Sequence, residues 1–275
     1  MKPLLAVDGD SFAHRAYHGL PKTIRRADGR PGGAIVGFAS MLVRLWEAES
    51  PRAVLVGWDT LESPTYRHDS FAGYQAGRVF DDALLEQLPL LPQLVEACGF
   101  AAARAPGYEA DDFLAAAAAS EEARGGHVLV ATSDRDAFQL ASERTTILQP
   151  IRGASQLARI GPAEVRERYG VEPAQVPDFI ALRGDPSDRL PGAKGVGAKT
   201  AASLLAEHGS LEALLAAGRF GAQAEELRLY RRLAALDRTA PLPPLPDQTP
   251  TWLRAADLAR SWGANLVGER LAALG

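Results

Sequence analysis

Three short apolar runs constrain this chain more than any other feature, because each one stops at an aspartate. They are LLAVD ending at Asp8, AVLVGWD ending at Asp59 and HVLVATSD ending at Asp134. A continuous apolar run of this length reads as a strand buried on both faces, the habit of parallel sheets. Between and after these runs, AIVGFASMLVRLWEAE (34–49), DDALLEQLPLLPQLVEA (81–97) and EADDFLAAAAASEEAR (109–124) carry apolar residues at helical spacing. Pro89 and Pro92 should interrupt or kink the second of these, since proline removes a helical donor and clashes with the preceding turn. The order β-α-β-α-α-β predicts an α/β fold, a doubly wound and mostly parallel sheet. Sites in such folds lie beyond the carboxyl ends of the strands, so the three aspartates should face one crevice.

From about residue 162 the pattern turns helical. PAEVRERYG, PAQVPDFIALRG, AKTAASLLAEHG and LEALLAAG read as short helices punctuated by glycine and proline. PLPPLPDQTP (241–250) reads as a rigid connector.

Composition excludes several classes. No run of 18 apolar residues exists, so no membrane span is expected. The first stretch, MKPLLAVDGD, meets acid too soon for a signal peptide. A single cysteine, Cys98, rules out a disulfide framework and reads as a core residue. A cytoplasmic location is the resulting expectation. The formal net charge of −4 looks unfavourable for a nucleic-acid partner.

The acids bear on that charge. Asp8, Asp59, Asp134 and Asp136 stand at strand ends and turns. PGYEADD adds Glu109, Asp111 and Asp112, and GDPSDRLPGAKGVGAKTA (184–201) adds Asp185 and Asp188. Taken singly, the first-turn acids could merely favour a helix dipole, and Asp185 could be a turn residue. Together they would crowd one rim. Two like charges about 4 Å apart repel by ~1 kcal/mol in water and ~4 kcal/mol at an effective dielectric of about 20. Such a crowd needs cations. Oxygen-only donors select hard ions such as Mg²⁺ or Mn²⁺, and a pair of them forms the usual clamp for phosphodiester hydrolysis. Two divalent ions would also offset the formal −4.

The glycine turn after Asp188 is not a nucleotide P-loop. Gly192 and Gly197 have the right separation, but Ala198 stands where the lysine must be, and Lys199 and Thr200 come one residue late. GVG followed by AKTAASLLAEH reads as a turn into a helix N-terminus, which attracts phosphate through backbone N–H groups. A plain helix-turn-helix connection is the alternative.

The stretches VDGDSFAHRAYHGL, GFASML, VGWDT, TYRHDSFAGYQAGR, PGYEADD, ATSDRDAFQL, RGDPSDRLPGAKGVGAKTA and HGSLEALL occur in order across residues 4–215. In this the chain resembles the 5′ nuclease (flap endonuclease-like) superfamily, in particular the bacterial 5′–3′ exonuclease domain found at the N-terminus of DNA polymerase I. The resemblance implies a PIN-like nuclease core over 1–165 and a helical region over 166–275. The core would include an arch segment near 66–97, and the helical region a helix-hairpin-helix variant (H3TH) that binds DNA. It implies a first metal site at Asp8, Asp59, Glu109 and Asp111, and a second at Asp134, Asp136 and Asp188. Asp112 and Asp185 would be supporting acids. Arg15, Gln75 and Arg78 would stand near the reacting phosphate, with His18, Tyr66 and Arg67 close by on the DNA path. Lys194, Gly195, Gly197, Lys199 and Thr200 would grip a duplex, with a K⁺ ion on the turn's carbonyls. One departure is plain: the family's YKAGR motif reads YQAGR here, so Gln75 replaces a lysine. The expected activity is metal-dependent 5′–3′ exonuclease or flap endonuclease cleavage of DNA in replication and repair, by a monomer. DNA–RNA hybrids are a further possible partner. A structure-specific DNA-binding protein with weak or no catalysis, and a ribonuclease on the same core, are the alternatives.

Overall fold

The computed structural model describes residues 2–60, 63–77, 79–152 and 156–275. The first half runs β1 (Leu4–Asp8), α1 (Gly9–Gly19), α2 (Gly33–Glu49), β2 (Ala53–Gly57), α3 (Tyr66–Ser70), α4 (Asp82–Leu85), α5 (Leu90–Ala97), β3 (Ala101–Ala103), α6 (Ala110–Ala123) and β4 (Val128–Ala131). Then follow β5 (Thr145–Arg152), β6 (Gln156–Ile160), α7 (Pro162–Tyr169), α8 (Val176–Arg183), α9 (Ala198–His208), α10 (Leu211–Ala216), α11 (Ala224–Ala234), α12 (Trp252–Ser261) and α13 (Asn265–Ala272).

The strands form one six-stranded sheet in the order β3-β2-β1-β4-β5-β6. Every neighbouring pair is parallel except β5 with β6, which is antiparallel. The three apolar runs are the central strands, as their patterning predicts. Sequence reading did not find β3, β5 and β6. β3 is three alanines, and β5 carries Thr145, Thr146, Gln149 and Pro150. These lie toward the sheet edges, where the demand for a continuous apolar run is relaxed.

The sheet is covered on both faces, and alternation along each strand assigns the residues. Leu4, Ala6, Leu55, Val128, Val130 and Ile147 pack on one side with α6, α8, α9 and α11. Leu5, Val7, Val54, Val56, Leu129 and Leu148 pack on the other with α1, α2, α5, α12 and α13. Each buried Leu, Ile or Val contributes about 1.5–3 kcal/mol. The first of these cores runs without a break from the sheet into the helices beyond residue 165. Cys98 is buried in the second, as expected.

The segment 81–97 is broken ahead of Pro89, as predicted, whereas Pro92 sits in the first turn of α5 and does not interrupt it. α4 ends at Leu85, and Pro89 caps the start of α5, where its missing N–H costs nothing. The last eight residues of the expected arch segment are the core helix α5, which buries Leu91, Leu94 and Val95. The proline-rich connector is a strap with no regular element. Arg52 donates to the Leu245 carbonyl at 2.9 Å, and the Gln248 side chain accepts from Val54 N–H at 2.7 Å. No helix among the described residues is long and apolar enough to cross a membrane.

Candidate active site

The strand order reverses direction at β1, with β2 on one side and β4 on the other. That switch point opens a crevice at the carboxyl ends of the strands. The acids at the ends of β1, β2 and β4 enter it, and a cleft of about 1100 Å³ there is lined by Asp8, Asp10, Asp59, Glu109, Asp111, Asp134, Asp136 and Asp188.

Local structure sets each acid. Asp8 caps α1, accepting from Ser11 N–H at 2.8 Å, and its other oxygen accepts from Thr132 Oγ at 2.7 Å. Asp59 accepts from Ala110 N–H at 2.7 Å, at the start of α6. That approach depends on Gly57, where a Cβ would lie 2.6 Å from the Ala110 carbonyl oxygen. The alanine-rich α6 is an intrinsically strong helix, and its first turn brings in Glu109 and Asp111. Asp134 accepts from Asp136 N–H at 2.9 Å in the turn after β4.

Asp188 rides on the 185–190 loop, whose ends are drawn together by Asp185 N–H to the Leu190 carbonyl at 2.9 Å and the reverse bond at 2.8 Å. Gly192 lets this loop close. Its φ is +75°, and a Cβ there would lie 2.5 Å from Gly184 N.

Crowding and burial shift these groups together. Burial pushes Asp8 up to about 7, and the Asp59 and Asp134 charges add to this against the lowering effect of its two hydrogen bonds. Glu109 is pushed up to about 7, again mainly by burial. Burial raises Asp10, Asp111 and Asp136 well above the usual carboxylate range, and neighbouring carboxylates raise them further. Asp111 Oδ1 is buried and has no hydrogen-bond partner. A buried, unpartnered carboxylate oxygen among mutually repelling acids is costly. The donor set is all oxygen, so the arrangement fits hard divalent cations. Among the described residues no three His, Cys, Asp or Glu side chains stand at ready-made ligating geometry. Several acid oxygens are instead turned onto backbone and hydroxyl donors.

Four expected site residues are engaged in contacts within the protein. Asp112 does not line the cleft but stands behind it. It is fully buried, and its two oxygens accept from Arg67 Nη1 and Nη2 at 2.8 Å each. Arg67 is 1% exposed, yet it lines the inner wall of the cleft, with Nη1 3.4 Å from Glu109 Oε2. Tyr66 is half-buried and stacks under the Arg67 guanidinium, with its hydroxyl 3.5 Å from the Ala235 carbonyl. Asp185 accepts from Arg183 Nη2 at 3.0 Å, from Ser187 N–H at 2.8 Å and from the Ser187 hydroxyl, and its charge helps to raise Asp136 in the cleft.

Arg15, His18 and Gln75 line the cleft. Arg78 lies outside the described residues. Lys194, Gly195, Gly197, Lys199 and Thr200 are all exposed on the turn into α9, and none of them lines the cleft.

Sequence reading missed Asp10, whose Oδ2 accepts from Asp59 N–H at 2.7 Å, and Tyr74, whose hydroxyl donates to Glu109 Oε2 at 3.0 Å. Asp10 was signalled by its place two residues after Asp8. Nothing local signals Tyr74.

The sequence matches two adjoining families. One is described as 5′-3′ exonuclease, N-terminal resolvase-like domain, over residues 3–170, and the other as 5′-3′ exonuclease, C-terminal SAM fold, over 171–252. The chain is 40% identical over 255 residues to DNA polymerase I of Mycobacterium tuberculosis, covering 89% of this chain and 28% of that protein. It is 43% identical over 213 residues to the thermostable DNA polymerase I of Thermus aquaticus, covering 77% and 25%. The chain thus spans about a quarter of the length of these curated relatives.

Among solved structures, it is similar to the phage T5 D15 protein co-crystallised with metal ions, with a TM-score of 0.70, 17% identity and 99% of both chains covered. It is also similar to the catalytic core of Rad2 in complex with DNA substrate, with a TM-score of 0.59, 14% identity and coverage of 98% and 90%. At these identities the likeness establishes the fold.

Proposed function

The chain belongs to the 5′–3′ exonuclease family, and on that premise we propose that it is a structure-specific nuclease. It would hydrolyse DNA phosphodiesters at 5′ flaps, nicks or 5′ ends, the kinds of end that replication and repair produce. The observation that carries this reading is Asp111, whose buried Oδ1 has no partner in the middle of the acid cleft.

Asp8, Asp59, Glu109 and Asp111 would hold one divalent cation, and Asp134, Asp136 and Asp188 a second, with Asp10 buttressing Asp59. When bound, such ions supply the positive charge that offsets the charge developing on the phosphodiester. The acids themselves would fix the ions' positions, because Asp8, Asp59, Glu109 and Asp111 are set by strand ends and a helix start, and Asp134, Asp136 and Asp188 by hydrogen-bonded turns. Arg15 and His18 line the same cleft and would face the strand's phosphates.

The exposed turn with Lys194 and Lys199 would act as an H3TH-type grip on duplex backbone. Such a contact positions the substrate without reading bases. On the same reading the turn's carbonyls would take the K⁺ ion, and DNA–RNA hybrids, which share that backbone, stay within the substrate class.

The test is cleavage of a 3′-labelled 5′-flap duplex with Mg²⁺, with Mn²⁺ and with chelator, beside Asp134→Ala. Metal-dependent cutting near the flap junction, lost in the variant, is expected. Flap binding with no cutting in either metal would overturn the catalytic reading.

A further inference from the structure

Two neighbouring residues on the loop after α3 touch both halves of the acid cluster. The Gln75 side-chain nitrogen donates to Asp188 Oδ1 at 2.9 Å and to the Tyr74 hydroxyl at 3.1 Å. The Tyr74 hydroxyl donates in turn to Glu109 Oε2 at 3.0 Å. One hydrogen-bonded chain, Asp188–Gln75–Tyr74–Glu109, therefore joins an acid on the 185–190 loop to an acid at the start of α6. Gln75 also directs its backbone N–H to the Asp188 carbonyl at 3.4 Å.

The backbone here is unusual. Gln75 has φ +47°, a left-handed conformation that a residue with a Cβ rarely adopts. Such outliers persist only where the surroundings hold them. The 185–190 loop supplies the hold, for Arg189 lies close enough to Gly77 that a Cβ there would sit 3.0 Å from Nη2. Tyr74 is 3% exposed, so its ring is fixed as well.

We propose that Gln75 is a positioning residue for divalent-cation binding, holding Asp188 directly and Glu109 through Tyr74 while adding no charge to the cluster. This rests on the nuclease reading above. An amide nitrogen has two N–H donors and here reaches two acceptors. A carboxylate offers about four lone-pair sites across its two oxygens, so one donated bond does not exclude a cation. A positive group at position 75 would orient the same oxygens but would also compete with the cation for them. Partners that orient ligands in this way typically change metal affinity by about 10–100-fold.

The experiment is calorimetric titration of the full chain with Mn²⁺, without nucleic acid, for the natural protein, Gln75→Ala, Gln75→Lys and Tyr74→Phe, with circular dichroism of each. Gln75→Ala and Tyr74→Phe should raise the Mn²⁺ Kd by ~10-fold or more. Gln75→Lys should raise it at least as much as Gln75→Ala, although it restores a donor. If Gln75→Ala loses its native circular dichroism, the other two variants decide by the same criterion. A natural chain that binds Mn²⁺ and cuts the flap, with Kd unchanged in natively folded variants, overturns this inference alone. Tighter binding in Gln75→Lys overturns the role given to neutrality. A natural chain that binds no Mn²⁺ overturns the nuclease reading and this inference with it.

Discussion

Arg67 and Asp112 close on each other as a two-pronged ion pair, Nη1 to Oδ2 and Nη2 to Oδ1 at 2.8 Å each, with side chains 1% and 0% exposed. Both partners are fully used. Arg67 Nε donates to the Leu233 carbonyl at 2.9 Å, and Asp112 accepts from the backbone N–H groups of Glu109 at 3.1 Å and Asp237 at 2.8 Å. The pair thereby ties α3, the first turn of α6 and the chain leaving α11 into one unit behind the cleft.

Removing one partner leaves the other charged and buried. Asp112→Ala should destabilise the chain by about 3–5 kcal/mol, whereas an apolar pair of similar volume, Arg67→Met with Asp112→Leu, should recover much of the loss. Guanidinium unfolding of the two variants checks this. Equal destabilisation in both would show that the pair's value lies in its hydrogen bonds to backbone rather than in the matched charges.

Asp111 is the reverse case, a buried acid whose Oδ1 has no partner and whose neighbours repel it. In chelator, Asp111→Asn should raise Tm or leave it unchanged, because a mutually repelling charge is gone. Flap cleavage in Mg²⁺ should fall by at least ~100-fold. A variant that loses both stability and activity would mark Asp111 as a structural acid.

Asp8 and Glu109, each pushed up to about 7, give a pH dependence. A carboxyl whose folded pKa exceeds its unfolded value binds its proton more tightly in the folded chain. It therefore supports the fold at pH below the unfolded pKa, and that support is lost as pH rises through the folded value. The chelated chain should lose Tm between about pH 5 and pH 8. Mn²⁺ should reverse the loss, bind more tightly as pH rises and release protons on binding. Melting curves across that range with chelator and with Mn²⁺ test it, and a flat chelated profile would contradict the raised values.

Lys194 and Lys199 stand exposed on the turn into α9. If they contact duplex phosphates, Lys194→Ala with Lys199→Ala should flatten the salt dependence of DNA affinity by about one power of salt concentration per lysine. The turnover rate at saturating substrate should hold, since neither residue lines the cleft. Fluorescence anisotropy over a KCl series, beside single-turnover cleavage, measures both.

Much of the site was legible in the sequence because strand patterning is local. A run such as LLAVD must be buried on both faces, and an acid at its end must then emerge where parallel strands stop. Three such runs with helical stretches between them imply a shared crevice before any contact is known. Asp10 could have been read the same way, as a second acid at the first strand end. Tyr74 could not, because its value comes from Glu109, which is 35 residues away in the chain.

The sequence alone therefore determined the central strands, the acid-lined crevice and, through its ordered motifs, the family. The tertiary structure decided which acids belong to the crevice. Asp111 and Asp112 are adjacent and chemically identical, but neighbours on a helix point about 100° apart. The packing of α6 against the sheet turns Asp111 to the cleft and Asp112 to Arg67. Gln75 is a similar case. Its neutrality is visible in the sequence, but its hydrogen bond to Asp188 exists only because the 71–77 and 185–190 loops, far apart in the chain, meet across the cleft.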